Sequence, residues 1–368
     1  MKELFLLDPE VIFLNHGSFG ACPRPVFAEY QRLQLELERE PVEFLGLQRA
    51  FPSKIAAVRD RLAAYLSARP DDLALVSNAT SGINLVARSL DLRPGDEIVA
   101  TDQEYGGNEL LWRYVCERKG ARYVEVPTWP SSAAVDLLGA VTPRTRAIFV
   151  SHISSPTALI FPVGEICTRA REAGVLTIVD GAHAPGQIAL DLDRIGADFY
   201  AGNCHKWLCS PKGAGFLYAR PEVQSLVEPL VVSWDWAEES WADRQRWAGT
   251  RDPTPQLAVP AAIDFQAEHR WDDVRARCHA LAVRAQHELA QLLGTDPYAA
   301  AEHEFVQMVS VRLPPCDPNA LHTRLFHERG IEVVCDAWRG EPYIRVSLQG
   351  YNDDSDLDAL LDAVPELL

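Results

Sequence analysis

The chain has eight cysteines, at positions 22, 116, 167, 204, 209, 278, 316 and 335, and no two of them form a Cys-x-x-Cys pair. That scatter excludes a zinc ribbon and reads as reduced thiols, so no metal site is expected. No apolar run approaches the ~18 residues that a membrane helix requires. The segment Met1–Glu10 carries three acidic residues and lacks the basic, apolar, small-residue order of a secretory signal, so a cytoplasmic location is expected. Basic residues are in deficit: 35 Lys and Arg against 52 Asp and Glu, a net charge of −17. Such a surface repels nucleic acid and anionic membranes, and neither is expected as a partner. Internal repeats and low-complexity linkers are also missing.

What is present is the composition of a soluble globular protein, 47% hydrophobic and 24% charged. A length of 368 residues suits two domains sharing a large core. Short apolar runs alternate with helical patterns. Strands are predicted at Leu73–Val76, Glu97–Ala100, Tyr123–Val126, Ala147–Val150, Val175–Val179, Phe199–Ala201 and Gly215–Tyr218. Helices are predicted at Gly82–Leu90, Asn108–Lys119 and Val163–Ala173, the last two ending at Gly120 and Gly174. Continuous apolar runs, rather than strict alternation, predict strands buried on both faces and a mainly parallel sheet under helices. A long helix beginning near Pro23 places Val26, Tyr30, Leu33 and Leu37 on one face. Trp234, Trp236, Trp241 and Trp247 crowd one stretch. A helical pattern then runs from about Gln256 to Leu293, in one piece or two. A smaller α+β part follows, with strands Val309–Leu313, Ile331–Val334 and Tyr343–Ser347 and helices Pro318–Arg329 and Ser355–Leu368. The expected organisation is an N-terminal arm (1–20), a large α/β domain (21–255) and a small C-terminal α+β domain (256–368).

Two motifs carry the chemistry. Asp180 ends an apolar strand in Val179-Asp180-Gly181-Ala182-His183, and Lys206 follows 26 residues later in Gly202-Asn203-Cys204-His205-Lys206-Trp207. This pair suits pyridoxal 5′-phosphate (PLP): the lysine amine forms a Schiff base with the cofactor aldehyde, and the carboxylate holds a proton on the pyridine nitrogen. Lys206 must be partly neutral to attack an aldehyde, which burial and nearby cations promote. Ser77-Asn78-Ala79-Thr80-Ser81-Gly82 joins a strand to a helix and makes a phosphate seat of backbone N–H groups, with the Thr80 hydroxyl added. His205 and Asn203 suit further phosphate contacts. Tyr105 follows a strand end and suits stacking on the pyridine face, with two glycines behind it for close backbone approach. His183 suits either contact with the ring or a bond to its phenolic oxygen. Gly249-Thr250 suits donation to the phosphate, from the same chain or a partner. Arg345, inside a predicted strand, suits bidentate binding of an amino-acid carboxylate.

Taken together with Leu14-Asn15-His16-Gly17-Ser18-Phe19-Gly20, Glu104-Tyr105-Gly106, Ser154-Ser155-Pro156-Thr157, Gly249-Thr250-Arg251-Asp252, Arg345-Val346-Ser347 and Tyr351-Asn352, these motifs make the chain resemble the class V branch of fold-type I PLP enzymes. Within that branch it is most similar to the isopenicillin N epimerase-like group. The resemblance implies a large PLP-binding domain with a mainly parallel central sheet, a smaller C-terminal domain, and a homodimer with shared active sites. It also implies roles by position. Lys206 carries the cofactor and shuttles the α-proton, and Asp180 pairs the pyridine nitrogen. Ala79, Thr80, Asn203 and His205, with Gly249 and Thr250 from the partner chain, hold the cofactor. Tyr105 and His183 contact its ring. Asn15, His16, Gly17, Ser18 and Ser155 close over an amino-acid-type substrate whose carboxylate meets Arg345. The activity implied is epimerisation at the α-carbon, with a C–S β-lyase or an aminotransferase as alternatives. Cysteine desulfurases of the class carry a nucleophilic Cys shortly before the carboxylate-binding Arg. The one Cys in that stretch here, Cys335, reads as a strand residue, which speaks against persulfide chemistry. A PLP sensor without turnover is disfavoured, because no helix-turn-helix segment fits before Asn15 and the acidic charge opposes DNA.

Overall fold

The computed structural model describes all residues from Met1 to Leu368. Its strands are β1 (Ile12–Phe13), β2 (Leu73–Val76), β3 (Glu97–Thr101), β4 (Arg122–Val126), β5 (Thr145–Ser151), β6 (Leu176–Gly181), β7 (Phe199–Asn203), β8 (Gly215–Ala219), β9 (Met308–Arg312), β10 (Ile331–Glu332), β11 (Val334–Trp338) and β12 (Glu341–Ser347). The helices of ten residues or more are α1 (Arg24–Arg39), α2 (Phe51–Leu66), α3 (Ala79–Ser89), α4 (Gly106–Lys119), α5 (Val163–Glu172), α6 (Val259–Glu268), α7 (Trp271–Leu293), α8 (Pro318–Arg329) and α9 (Asp354–Leu367).

Seven strands form one sheet in the order β2-β8-β7-β6-β5-β3-β4. Every pairing is parallel except those of β8, which runs against both β2 and β7. The fold is thus α/β with a mainly parallel sheet, as the apolar runs predict. β3, β7 and β8 are buried at every position, and in β5 only Arg146 is exposed. Pleating divides these side chains between two cores. Ile98, Ala100, Ala147 and Phe149 face a smaller cluster roofed by α3 and α4. Val99, Ile148 and Val150 face a larger cluster that runs on through α1, α2 and α5 to β9, β12 and α9. β4 closes one edge and exposes Arg122 and Glu125, charges that discourage edge pairing with another chain.

Helix ends follow local chemistry. The phosphate-seat helix starts at Ala79 rather than Gly82, because the Asn78 side chain caps it by accepting from the Ser81 amide at 2.8 Å. Gly120, in the left-handed conformation, ends α4. Helix α2 was not anticipated, although Phe51, Ile55, Val58, Leu62 and Leu66 make a buried stripe as regular as that of α1. The helical pattern 256–293 falls in two pieces. α6 packs on α1 and α2, on the large-sheet side, whereas α7 packs on β9 and α9.

The small antiparallel sheet has the order β11-β12-β9. The expected strand Ile331–Val334 is split because its halves have different partners: β10 pairs with β1 in parallel, and β11 pairs with β12. The N-terminal arm is therefore stitched into the small domain. Leu14 donates its amide to Glu332 and accepts from the Ser347 amide.

Candidate active site

The carboxyl ends of parallel strands leave backbone and side chains facing outward at one edge of the sheet, where α/β proteins place their ligands. Here β2, β3, β5, β6 and β7 end beside one another, and each is followed by a segment singled out in the sequence. Asn78–Thr80 follow β2, Glu104 and Tyr105 follow β3, and Ser155 follows β5. Asp180 and His183 lie at the end of β6, and Asn203 to Lys206 at the end of β7. The arm and the β11–β12 hairpin cover this edge from the opposite side. Together they enclose a cleft of about 750 Å³ that is lined by Gly17, Ser18, Thr80, Tyr105, Ser155, Asp180, His183, Asn203, His205, Lys206 and Arg345, among others.

Lys206 Nζ lies 3.2 Å from His183 Nε2. Burial, aided by the Arg345 charge, pulls the Lys206 amine down to about 7, which leaves a substantial free-base fraction near neutrality. Asp180 accepts from the Ala182 amide at 2.8 Å and from Asn108 Nδ2 at 2.6 Å. Burial pushes its carboxyl above the usual range, against the pull of those bonds and of Lys206. Tyr105 sits just before α4, half exposed at the cleft mouth. Gly107 allows its ring to lie back on the helix, since a Cβ there would fall 2.6 Å from the ring. Gly106 meets no such constraint.

Arg345, on β12, is 4% exposed. Nη1 donates to the Ser155 carbonyl at 2.6 Å and to its hydroxyl at 3.0 Å, and Nη2 donates to Ser18 Oγ at 3.3 Å. All three acceptors are neutral, and Nε has no partner. A buried guanidinium with no anion against it is a costly arrangement that a ligand carboxylate would relieve.

Several expected site residues do not reach the cleft. His16 is fully buried behind it: Nδ1 meets Tyr351 Oη at 2.9 Å and Nε2 meets the Lys206 carbonyl at 3.1 Å. It steadies the Lys206 backbone rather than covering a substrate, because the turn at His16–Phe19 directs Gly17 and Ser18, not His16, to the opening. Asn15 is occupied by Glu332, to which it donates at 2.7 Å, and by the Ser18 hydroxyl. The Ala79 amide is not free for a phosphate, since it donates to Asn203 Oδ1 at 2.8 Å. Thr80 remains exposed at the helix start. His205 uses one ring nitrogen, Nδ1, on the Ala214 carbonyl at 3.0 Å, and burial takes its pKa down to about 4. Gly249 and Thr250 lie outside the cleft, with Thr250 exposed. None of the four clustered tryptophans lines it either: Trp234 is 83% exposed, while Trp247 packs edge-on against Phe51. Cys335 is buried, its thiol pushed far up by burial, and it faces away from the cleft, which its neighbours Val334 and Asp336 line.

Three further residues act at the site without having been given a role in the sequence. Asn108 holds Asp180 from the first turn of α4, and Trp207 holds His183 by donating from Nε1 to Nδ1 at 3.2 Å. Glu104, buried, accepts from Ser151 and Thr101, and burial raises its carboxyl to about 8. A polar residue beside a helix start or beside Lys206 was the available signal. Its partner was not.

Residues 23–360 match the class-V aminotransferase family. The chain is 38% identical to isopenicillin N epimerase of Streptomyces clavuligerus, covering 98% of this chain and 96% of that one. It is 38% identical to isopenicillin N epimerase of Amycolatopsis lactamdurans, covering 100% and 97%. It is 28% identical to a probable chloroplastic L-cysteine desulfhydrase of Arabidopsis thaliana, covering 98% and 84%. Among solved structures, a cysteine desulfurase of Escherichia coli superposes with a TM-score of 0.85 over 100% of this chain and 97% of the other, at 24% identity, which is a likeness of fold. The chain belongs to the class-V aminotransferase family of PLP-dependent enzymes.

Proposed function

We propose that the cleft binds PLP and that the chain acts at the α-carbon of an amino acid or amino-acid-derived substrate, as an epimerase of the isopenicillin N epimerase kind. When bound, PLP supplies an aldehyde for the Lys206 amine and a ring that accepts the electron pair left at the α-carbon. The residues present fit it. Asp180 is buried with only neutral donors in contact, so a protonated pyridine nitrogen is the cationic partner that keeps it ionised. Thr80 and His205 border the place for the phosphate. Gly249 and Thr250 would reach it only from a second copy of the chain. Tyr105 and His183 would flank the ring.

The observation that carries the substrate class is Arg345. Its guanidinium, fixed by Ser155 and Ser18, offers a fork to an α-carboxylate and so orients the α-hydrogen toward Lys206, which takes the proton; inversion then requires a proton delivered from the face opposite Lys206. The relatives at 38% identity favour epimerisation. The desulfhydrase relative favours a second reading, elimination of a β-substituent. The buried Cys335 offers no thiol to a substrate and so does not favour sulfur transfer.

The test is a visible spectrum of the purified protein with added PLP, followed by a panel of L- and D-amino acids and their peptides in deuterated water. Deuterium entering the α-carbon with inversion supports the epimerase. Sulfide and pyruvate from cysteine would replace it with the lyase. A protein that acquires no visible absorbance with PLP removes both.

A further inference from the structure

His183 is engaged through both ring nitrogens. Trp207 Nε1–H donates to Nδ1, and Lys206 Nζ approaches Nε2, each at 3.2 Å. An indole N–H can only donate, so Nδ1 carries a lone pair. Burial, aided by the Arg345 charge, holds the ring neutral. Its one proton is then on Nε2 and points at Lys206. An ammonium has three donors and no acceptor, so it makes no hydrogen bond to that N–H; a free amine offers its lone pair. The indole has no freedom to leave. It is fully buried and packs beside His16 at 5.0 Å between ring centres, while the Trp207 carbonyl accepts from Gln266 at 2.8 Å.

We propose that Trp207 is a positioning residue for Lys206: by donating to His183 Nδ1 it holds the imidazole as the Nε2–H tautomer, and that N–H selects the free-base amine of Lys206. The role rests on the reading of Lys206 as the residue that condenses with PLP, for which the free base is the competent form. Two charges act on the same amine, Arg345 from β12 and Asp180 from β6; Glu104 and Tyr105 from the segment after β3 and neighbouring His205 line the same cleft, and His16 from the arm bonds the Lys206 carbonyl. A change of Trp207 to Phe leaves these groups unaltered in type and removes the donor to Nδ1, along with part of the buried ring.

The experiment uses full-length protein freed of cofactor with hydroxylamine and pulse-labelled with trace acetic anhydride across pH. Acetylation of Lys206 is read by peptide mass spectrometry against exposed Lys119. The wild-type midpoint is expected near 7. Trp207→Phe is expected to raise it by about one pH unit, slowing Lys206 labelling at neutral pH about fivefold. In a His183→Phe background the same change is expected to have no further effect. An unmoved midpoint in Trp207→Phe, or an equal shift with His183 already removed, overturns the proposal. Independently of how the variants fold, ¹⁵N spectra of the unaltered protein should show His183 protonated at Nε2 alone, and a proton on Nδ1 overturns it as well. These readouts need no bound cofactor, so failure of the PLP reading would appear separately, as wild-type protein that takes up no PLP.

Discussion

Arg345 shows how much one side chain conveys once its surroundings are known. Its ordinary company on a strand would be solvent or a carboxylate. Here it is enclosed by a carbonyl and two hydroxyls, with Nε unsatisfied, beside an amine held partly neutral. Arg345→Lys keeps the charge and loses the fork. We expect kcat/KM for the amino-acid substrate to fall about 10–100-fold, the equivalent of ~1.5–3 kcal/mol for a charge-assisted hydrogen bond, with most of the loss in KM. Steady-state kinetics would decide, and an unchanged KM would place the carboxylate elsewhere. The residue type alone suggested this role in the sequence. The missing counterion did not show there, because an ion pair is made or withheld by segments far apart in the chain.

At the scale of elements, the site depends on the N-terminal arm lying directly against the segment that carries Lys206. Gly20 adopts φ +70°, and a Cβ there would fall 2.1 Å from the His205 carbonyl oxygen and 2.9 Å from the Lys206 Cα. Lys212 clamps the contact by donating to the Gly20 carbonyl at 2.8 Å. Gly20→Ala therefore combines a strained backbone with a clash against main chain. We expect a loss of at least about 3 kcal/mol in unfolding free energy, read from the urea midpoint, together with weaker PLP uptake. An unchanged midpoint would mean that the arm is not seated on the Lys206 segment. The strands beneath this contact were legible because apolar runs mark burial on both faces. The pairing of β1 with β10 was not, since two residues on each side leave no periodic trace.

The whole molecule leaves its site open on one side. Tyr105 and Phe19, both at the cleft mouth, are 48% and 72% exposed, and Val232 and Trp234 lie bare on the surface at 66% and 83%. Single apolar side chains in water are ordinary, but aromatic ones at the rim of a reaction cleft call for a cover. The proposed dimer supplies it, along with Gly249 and Thr250 for the phosphate. Sedimentation is expected to give twice the 40.9 kDa chain mass. Val232→Asp is expected to lower the dimer fraction and, with it, PLP affinity. A monomer that binds PLP as tightly as the unaltered protein would remove the shared-site reading.

The sequence by itself determined most of the central strands and the chemical classes. Apolar runs and Gly120 specify local structure through near neighbours, and a strand-end Asp180 with a following Lys206 suits PLP chemistry through the properties of those groups. Tertiary structure alone decided which residues line the cleft. It turned His16 inward and Gly17 and Ser18 outward, and it joined the Ala79 amide to Asn203 across 124 positions. It brought Asn108 to Asp180 across 72 and set Trp207 against His183. Hydrogen bonds of that range depend on how the strands pair and on how the arm packs, and no local pattern in the chain records either.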